Sequence, residues 1–138
     1  MYSLKNKIIL IPGGAGLIGK EISKTLVHHG CIVIVLDIKK KELHNLSKRN
    51  EKLFYLQCNI NNIRQLEKAK TFIIKKFKKI DVLINLAAIN ESPKNIKNIK
   101  KNKFENYSLN DWNKSIQTNL TSVFMLCKTF GSIMAKQK

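Results

Sequence analysis

Four of the chain's six glycines fall within eight consecutive residues, Pro12-Gly-Gly-Ala-Gly-Leu-Ile-Gly19. That cluster sits between a β-branched apolar run, Lys7 to Pro12, and a stretch with helical periodicity, Leu17 to His29. Glycine is required where the backbone must turn too tightly for a β-carbon or must touch another backbone. Its placement here admits few arrangements: a buried strand, a tight turn and a helix that starts at once. The strand run is apolar at successive positions, the pattern of a strand covered on both faces. The helix places Ile18, Ile22 and Leu26 on one face, and Gly30 follows as its stop.

The alternation continues. Cys31 to Leu36 reads as a second strand closed by Asp37, Lys39 to Asn50 as a short polar helix, and Leu53 to Gln57 as a third strand. Asn62 to Lys79 carries Ile63, Leu66, Ile73 and Phe77 at helical spacing, and Asp81 to Asn85 is a fourth strand. The Lys- and Asn-rich stretch Asn90 to Tyr107, with Pro93 near its start, reads as a surface loop. Ser108 to Asp111 has the form of a helix cap. It opens a last helix expected to bury Trp112, Ile116, Leu120, Val123, Cys127, Phe130 and Met134 on one face. No linker or repeat interrupts the chain, so residues 1–138 are read as one domain. Strand–helix alternation with right-handed crossovers predicts the N-terminal portion of an α/β, Rossmann-like, doubly wound parallel sheet in the order 3-2-1-4.

Composition removes several function classes. A hydrophobic fraction of 43% supplies a core and excludes wholesale disorder. The apolar runs are far shorter than the roughly 18 residues of a membrane span, and the start has no secretory pattern. Cys31, Cys58 and Cys127 lie far apart, without disulfide or zinc spacing, which suits a reducing, cytoplasmic setting. His28, His29 and His44 lack ligand spacing, so no metal site is expected. The net charge of +17 invites a polyanion partner. Yet it comes from 24 Lys and only 2 Arg, beside 15 Asn and 19 Ile. Phosphate and base recognition favour the Arg fork. A solvated Lys coat is therefore favoured over a nucleic-acid surface.

The glycine cluster fits Gly14-x-Gly16-x-x-Gly19, overlapped by a second register, Gly13-x-x-Gly16-x-x-Gly19. One glycine makes the turn, one lets the backbone reach a pyrophosphate, and one lets the helix pack on the sheet. The helix start at Leu17 and Ile18 offers free N–H groups and a partial positive charge. No Gly-Lys-Ser/Thr follows, which excludes a P-loop. Asp37, at the end of strand two, can accept hydrogen bonds from the adenosine ribose and would repel a 2′-phosphate. NAD is favoured over NADP on that ground.

Taken together, these residues resemble the short-chain dehydrogenase/reductase family across the whole chain. The glycine loop resembles the family's TGxxxGxG or TGxxGxxG element, with Pro12 where Thr is usual. Asn59-Ile60 resembles the Asp-hydrophobic pair that meets the adenine, and Asn85-Leu-Ala-Ala88 resembles Asn-Asn-Ala-Gly. Asp111-Trp112 with Asn119 to Phe124 resembles the classical branch, which is favoured here. The glycine loop and Leu86 to Ala88 also resemble the extended branch of nucleotide-sugar epimerases and dehydratases. The Lys- and Asn-rich insert before Phe104 to Tyr107, with Phe130 to Ala135, resembles reductases of bacterial surface-sugar pathways.

The resemblance implies cofactor contacts at Gly13, Gly14, Gly16, Leu17, Ile18, Gly19, Asp37, Asn59, Ile60, Asn85, Ala87 and Ala88. It implies a catalytic-set role for Asn119, which helical periodicity also places on the buried face. It further implies hydride transfer between a nicotinamide and a carbonyl or alcohol, and a homodimer or homotetramer. The family's Ser and Tyr-x-x-x-Lys are absent from the sequence, since Tyr2, Tyr55 and Tyr107 are followed four residues later by Asn6, Asn59 and Asp111. The expectation is a cofactor-binding half lacking the proton-transfer half. A non-catalytic dinucleotide-binding module and a Lys-rich polyanion binder remain as alternatives.

Overall fold

The computed structural model describes residues 3–39, 50–89 and 103–137. Most of the expected polar helix over Lys39 to Asn50, and most of the Lys/Asn-rich stretch after Asn90, lie outside the described residues. Strand β1 (Ile8–Pro12) leads through the glycine loop into α1 (Leu17–His28) and β2 (Ile32–Asp37). Strand β3 (Leu53–Gln57), helix α2 (Ile63–Phe77) and strand β4 (Val82–Leu83) follow. The strands form a parallel sheet, as the alternation predicts, in the expected order β3-β2-β1-β4. β1 pairs along its length with β2, Ile8 opposite Ile32 and Pro12 opposite Leu36. Its ladder with β4 is short, joining Ile9 to Val82 and Leu10 to Leu83.

Successive residues of β1 serve opposite layers, because side chains alternate across a strand. Ile8 and Leu10 join Ile34, Leu36, Leu66, Ile73, Leu126 and Phe130 on the face covered by α2 and the last helix. Ile9 and Ile11 join Val33, Val35 and Cys31 on the face covered by α1 through Ile22 and Leu26. This two-sided cover explains why β1 shows no polar alternation. The helix ends carry their own signals. Gly30 (φ +83°) closes the α1 region, with its N–H on the Val27 carbonyl at 2.9 Å. Asn62 caps α2 by accepting from the Gln65 N–H at 3.1 Å.

The last helix departs from expectation. It begins as α3 (Leu109–Ile116), capped by Ser108, whose hydroxyl accepts the Asp111 N–H at 3.0 Å. It then passes without a break through a π-type turn (Gln117–Thr121), α4 (Ser122–Leu126), a second π-type turn (Cys127–Gly131) and α5 (Ser132–Met134). The side facing the sheet is Ser122, Leu126, Thr129 and Phe130. Trp112, expected as a core anchor, is 51% exposed, and Leu120 and Phe124 are each 64% exposed. Two causes combine. No residue of α3 is buried, and each π-type turn widens the helical repeat, so 3.6-residue periodicity loses phase across it.

Carboxamides fasten this helix to both ends of β4. The Gln137 side chain pairs with Ile80, accepting its N–H at 2.9 Å and donating to its carbonyl at 2.7 Å. Asn119 pairs with Ile89 in the same two-pronged way, at 2.8 and 2.9 Å. Ahead of β4, Asp81 accepts the Ile8 N–H at 2.8 Å and the Lys79 ammonium at 2.9 Å, joining the starts of β1 and β4.

Candidate cofactor site

The glycines at the end of β1 do different jobs. Gly13 has φ +79°, and a β-carbon there would stand 2.4 Å from the Ala87 nitrogen. Its N–H donates to the Leu36 carbonyl at 2.8 Å, so it joins the loops after β1 and β4 to the end of β2. A β-carbon on Gly14 would meet both Val35 γ-carbons at 2.8 Å, and one on Gly19 would meet the Gly13 carbonyl oxygen at 2.6 Å. These three are demanded by packing. Gly16 is not: its φ is −68°, and its added β-carbon would touch only the Gly13 oxygen, at 3.2 Å. It lines the cleft that opens in front of the loop.

Gly16 is also the N-cap of α1, where no side chain caps the helix and the first turn carries no acidic residue. The first-turn N–H groups therefore have no side-chain acceptor within the helix. Leu17 and Ile18, 88% and 68% exposed, do not line the cleft with their side chains. What they can offer a ligand is backbone N–H.

Asp37 stands opposite the loop at the end of β2. Its Oδ2 accepts the Ala15 N–H and its Oδ1 the Lys39 N–H, both at 3.1 Å. Each carboxylate oxygen keeps a further lone pair for a hydroxyl donor. Beyond Asp37 the cleft reaches Cys58, Asn59 and Ile60 at the end of β3. Burial pushes the Cys58 thiol up to about 11, so it is a neutral wall and not a nucleophile. Asn59 is held by a 2.7 Å bond from its N–H to Gln65 Oε1 and accepts the Asn61 N–H on its own Oδ1 at 3.0 Å. In the other direction the cleft is floored by Leu86, Ala87, Ala88 and Ile89. Its volume is about 390 Å³.

Seven of the thirteen residues singled out from sequence line the cleft. Gly13, Gly16, Asp37, Asn59, Ile60, Ala87 and Ala88 share the cleft, whereas Gly14, Gly19 and Asn85 do not line it. Asn85 turns toward the last helix, its Nδ2 3.7 Å from Cys127 Sγ. Asn119 is exposed, which corrects the expectation of burial. The reason is that its amide is satisfied by the Ile89 backbone and needs no interior partner. Its side chain therefore positions the loop after β4. Thr118 and Asn61 also line the cleft, joined by a 2.9 Å bond between Asn61 Nδ2 and Thr118 Oγ1. Periodicity gave no cue to Thr118, because it lies within the first π-type turn. Among the described residues no group of acidic, His and Cys side chains could hold a metal, and no helix is long and apolar enough to cross a membrane.

The family description "short chain dehydrogenase" matches residues 7–138. Short-chain dehydrogenase reductase 3b of Arabidopsis thaliana is 28% identical over 136 residues, which are 97% of this chain and 50% of that protein. The 3-hydroxyacyl-CoA dehydrogenase type-2 of Rattus norvegicus is 26% identical over 137 residues, 99% of this chain and 51% of that one. The ligand-free structure of Thermoplasma acidophilum aldohexose dehydrogenase superposes with a TM-score of 0.80 at 24% identity, covering all of this chain and 48% of the other. The chain belongs to the short-chain dehydrogenase family. It spans about half the length of the two relatives described.

Proposed function

We propose that this chain forms the dinucleotide-binding part of an NAD-dependent oxidoreductase that moves hydride between a nicotinamide and a carbonyl or alcohol substrate. One observation carries the reading: a single cleft runs from Gly16 and the uncapped start of α1, past Asp37, to Asn59 and Ile60. A pyrophosphate fits the first of these, where bare N–H groups and the helix dipole favour an anion. A ribose fits the second, where a carboxylate accepts hydroxyl protons, and a base fits the third. Ala87 and Ala88, on the opposite wing, leave room for the nicotinamide half.

The bound dinucleotide would supply the hydride chemistry itself. This chain's residues supply the phosphate cradle, the ribose acceptor and, through Asn119 and Ile89, the fixed height of the floor. No Tyr-x-x-x-Lys occurs among these residues, so no proton-transfer step is assigned to them. A sugar derivative is the substrate suggested by the likeness of Phe104 to Tyr107 and Phe130 to Ala135 to surface-sugar reductases. A homodimer or homotetramer is the assembly suggested by the bare stripe of Trp112, Leu120 and Phe124.

Asp37 favours NAD because a 2′-phosphate would place its charge against the carboxylate. Fluorescence titration with NADH and NADPH tests this. NADH is expected to bind more tightly, by about tenfold or more, from the repulsion of unscreened like charges. Asp37→Asn is expected to weaken NADH and narrow the gap. Equal binding of both nucleotides by the unmodified chain would overturn the NAD assignment. Binding of neither by folded protein would overturn the dinucleotide reading.

A further inference from the structure

The charge of +17 is not spread evenly. Among the described residues Glu21, Glu67, Asp81, Glu105 and Asp111 each hold a lysine, so at these places the coat carries its own counter-charge. The outer face of α2 differs. The helix turns Leu66, Ala69 and Ile73 to the core, which sends Arg64, Lys68, Thr71 and Lys75 outward as one row. The row runs about 16 Å along the helix. All four side chains are exposed, and Arg64, Lys68 and Lys75 make no ion pair among the described residues. Glu67, the one acidic residue of the helix, stands to the side and is engaged by Lys70.

Beside the row lies Phe72, 45% exposed. Next to it aromatic rings fix a further cation. The Lys76 ammonium stands 4.2 Å from the centre of the Phe54 ring and 5.5 and 5.9 Å from those of Phe77 and Phe72. Phe54 and Phe77 themselves meet edge to face at 4.9 Å. None of these residues lines the cleft.

Two features decide which anion the face suits. Three of its four cations are Lys, a point charge without the planar fork of Arg, which fits a diffuse negative surface better than a phosphate read in fixed geometry. Phe72 adds an apolar ring that can enter the boundary below a lipid headgroup layer while the lysine ammonium groups stay among the phosphates. The Phe54 ring already carries Lys76 over its face, so it is no platform for a nucleobase. We propose that Arg64, Lys68, Phe72, Lys75 and Lys76 form a surface that docks the protein reversibly on an anionic lipid bilayer. Clusters of roughly four to eight cations bind such surfaces by charge. The inference is independent of the dinucleotide reading.

The test is co-sedimentation of the full chain with vesicles of phosphatidylcholine alone and of phosphatidylcholine mixed equally with phosphatidylglycerol, with circular dichroism to establish folding. Binding is expected only to the mixed vesicles and is expected to weaken as salt is raised. Replacing Lys68 and Lys75 together by Gln is expected to weaken it by about tenfold or more. Phe72→Ser, which leaves the charge intact, is expected to weaken it by about threefold or more. Lys5→Gln with Lys24→Gln removes the same charge beside α1 and is expected to cost less than about threefold. An equal loss from the two double variants would assign the binding to the general Lys coat and overturn the proposal. Absence of binding to the mixed vesicles, or equal binding to phosphatidylcholine alone, would overturn it as well. A single-stranded oligonucleotide that bound through Lys68 and Lys75 more tightly than the mixed vesicles would reassign the face to nucleic acid.

Discussion

Replacing Gly13 and Gly16 separately by Ala divides architecture from ligand contact within one loop. At Gly13 the φ of +79° places a β-carbon in the left-handed region, 2.4 Å from the Ala87 nitrogen and 2.5 Å from its α-carbon. The left-handed conformation costs an L-residue roughly 1–2 kcal/mol. Overpacking adds about 1–3 kcal/mol, and the obstacle here is backbone, which cannot rotate aside. A loss of about 3 kcal/mol is therefore expected for Gly13→Ala, a large part of a typical domain stability of roughly 5–15 kcal/mol.

At Gly16 the φ is ordinary and the one close contact is 3.2 Å from the Gly13 oxygen. Small local adjustment, offset by the reduced freedom of the unfolded chain, should leave stability within about 1 kcal/mol of the parent. The added methyl nevertheless projects where a pyrophosphate would lie. NADH affinity should fall by at least tenfold. Urea denaturation reports the first effect and fluorescence titration the second. Unchanged NADH binding by Gly16→Ala would refute the argument that this glycine is open for a ligand. Unaltered stability of Gly13→Ala would refute the packing argument.

Three further outcomes follow from other contacts. Asn119→Ala removes both bonds to Ile89 and should cost about 1–3 kcal/mol, read as a lower Tm; an unchanged Tm would deny the clamp its role. Burial works to raise the Asp81 pKa, but the Ile8 N–H, the Lys79 hydrogen bond and the Lys79 and Lys7 charges outweigh it and hold the carboxyl below its usual value. The unfolded chain then takes up this proton first as pH falls, so stability should decline below about pH 4. Asp81→Asn should flatten that decline, and an identical pH profile for the variant would contradict it. Charged replacements at Leu120 and Phe124, both 64% exposed, should lower the sedimentation coefficient of any assembly formed through the stripe. An unaltered coefficient would place the contact elsewhere.

The elements that the sequence made legible are those whose cause is local. β1 and β2 announce themselves by unbroken apolar runs, α2 by the helical spacing of Ile63, Leu66, Ile73 and Phe77, and α3 by Ser108. The parallel sheet followed from connectivity rules, while the order 3-2-1-4 rested on the dinucleotide-binding pattern, because other doubly wound orders obey the same rules. At the cleft, Gly13, Gly16 and Asp37 could be placed because each has a geometric task tied to a strand end. The division of labour among the glycines was not legible, since Val35 and Ala87, which make Gly14 and Gly13 obligatory, come from distant parts of the chain. Asn119 misled periodicity for a similar reason: its partner, Ile89, is a loop backbone with no sequence signature. The last helix misled it further, because a π-type turn leaves no mark in the hydrophobic pattern.

The two carboxamide clamps have a mechanical consequence. β4 contributes only Val82 and Leu83 to its ladder with β1, yet the polypeptide on either side of it is tethered at Ile80 and Ile89 to a single helix. The cleft's alanine wing is thereby held from two sides, by that helix and by β1, whose Leu10 and Pro12 carbonyls accept the Ile84 and Leu86 N–H groups at 2.9 and 3.0 Å. Freeing that wing would require breaking bonds to the helix and to the sheet together.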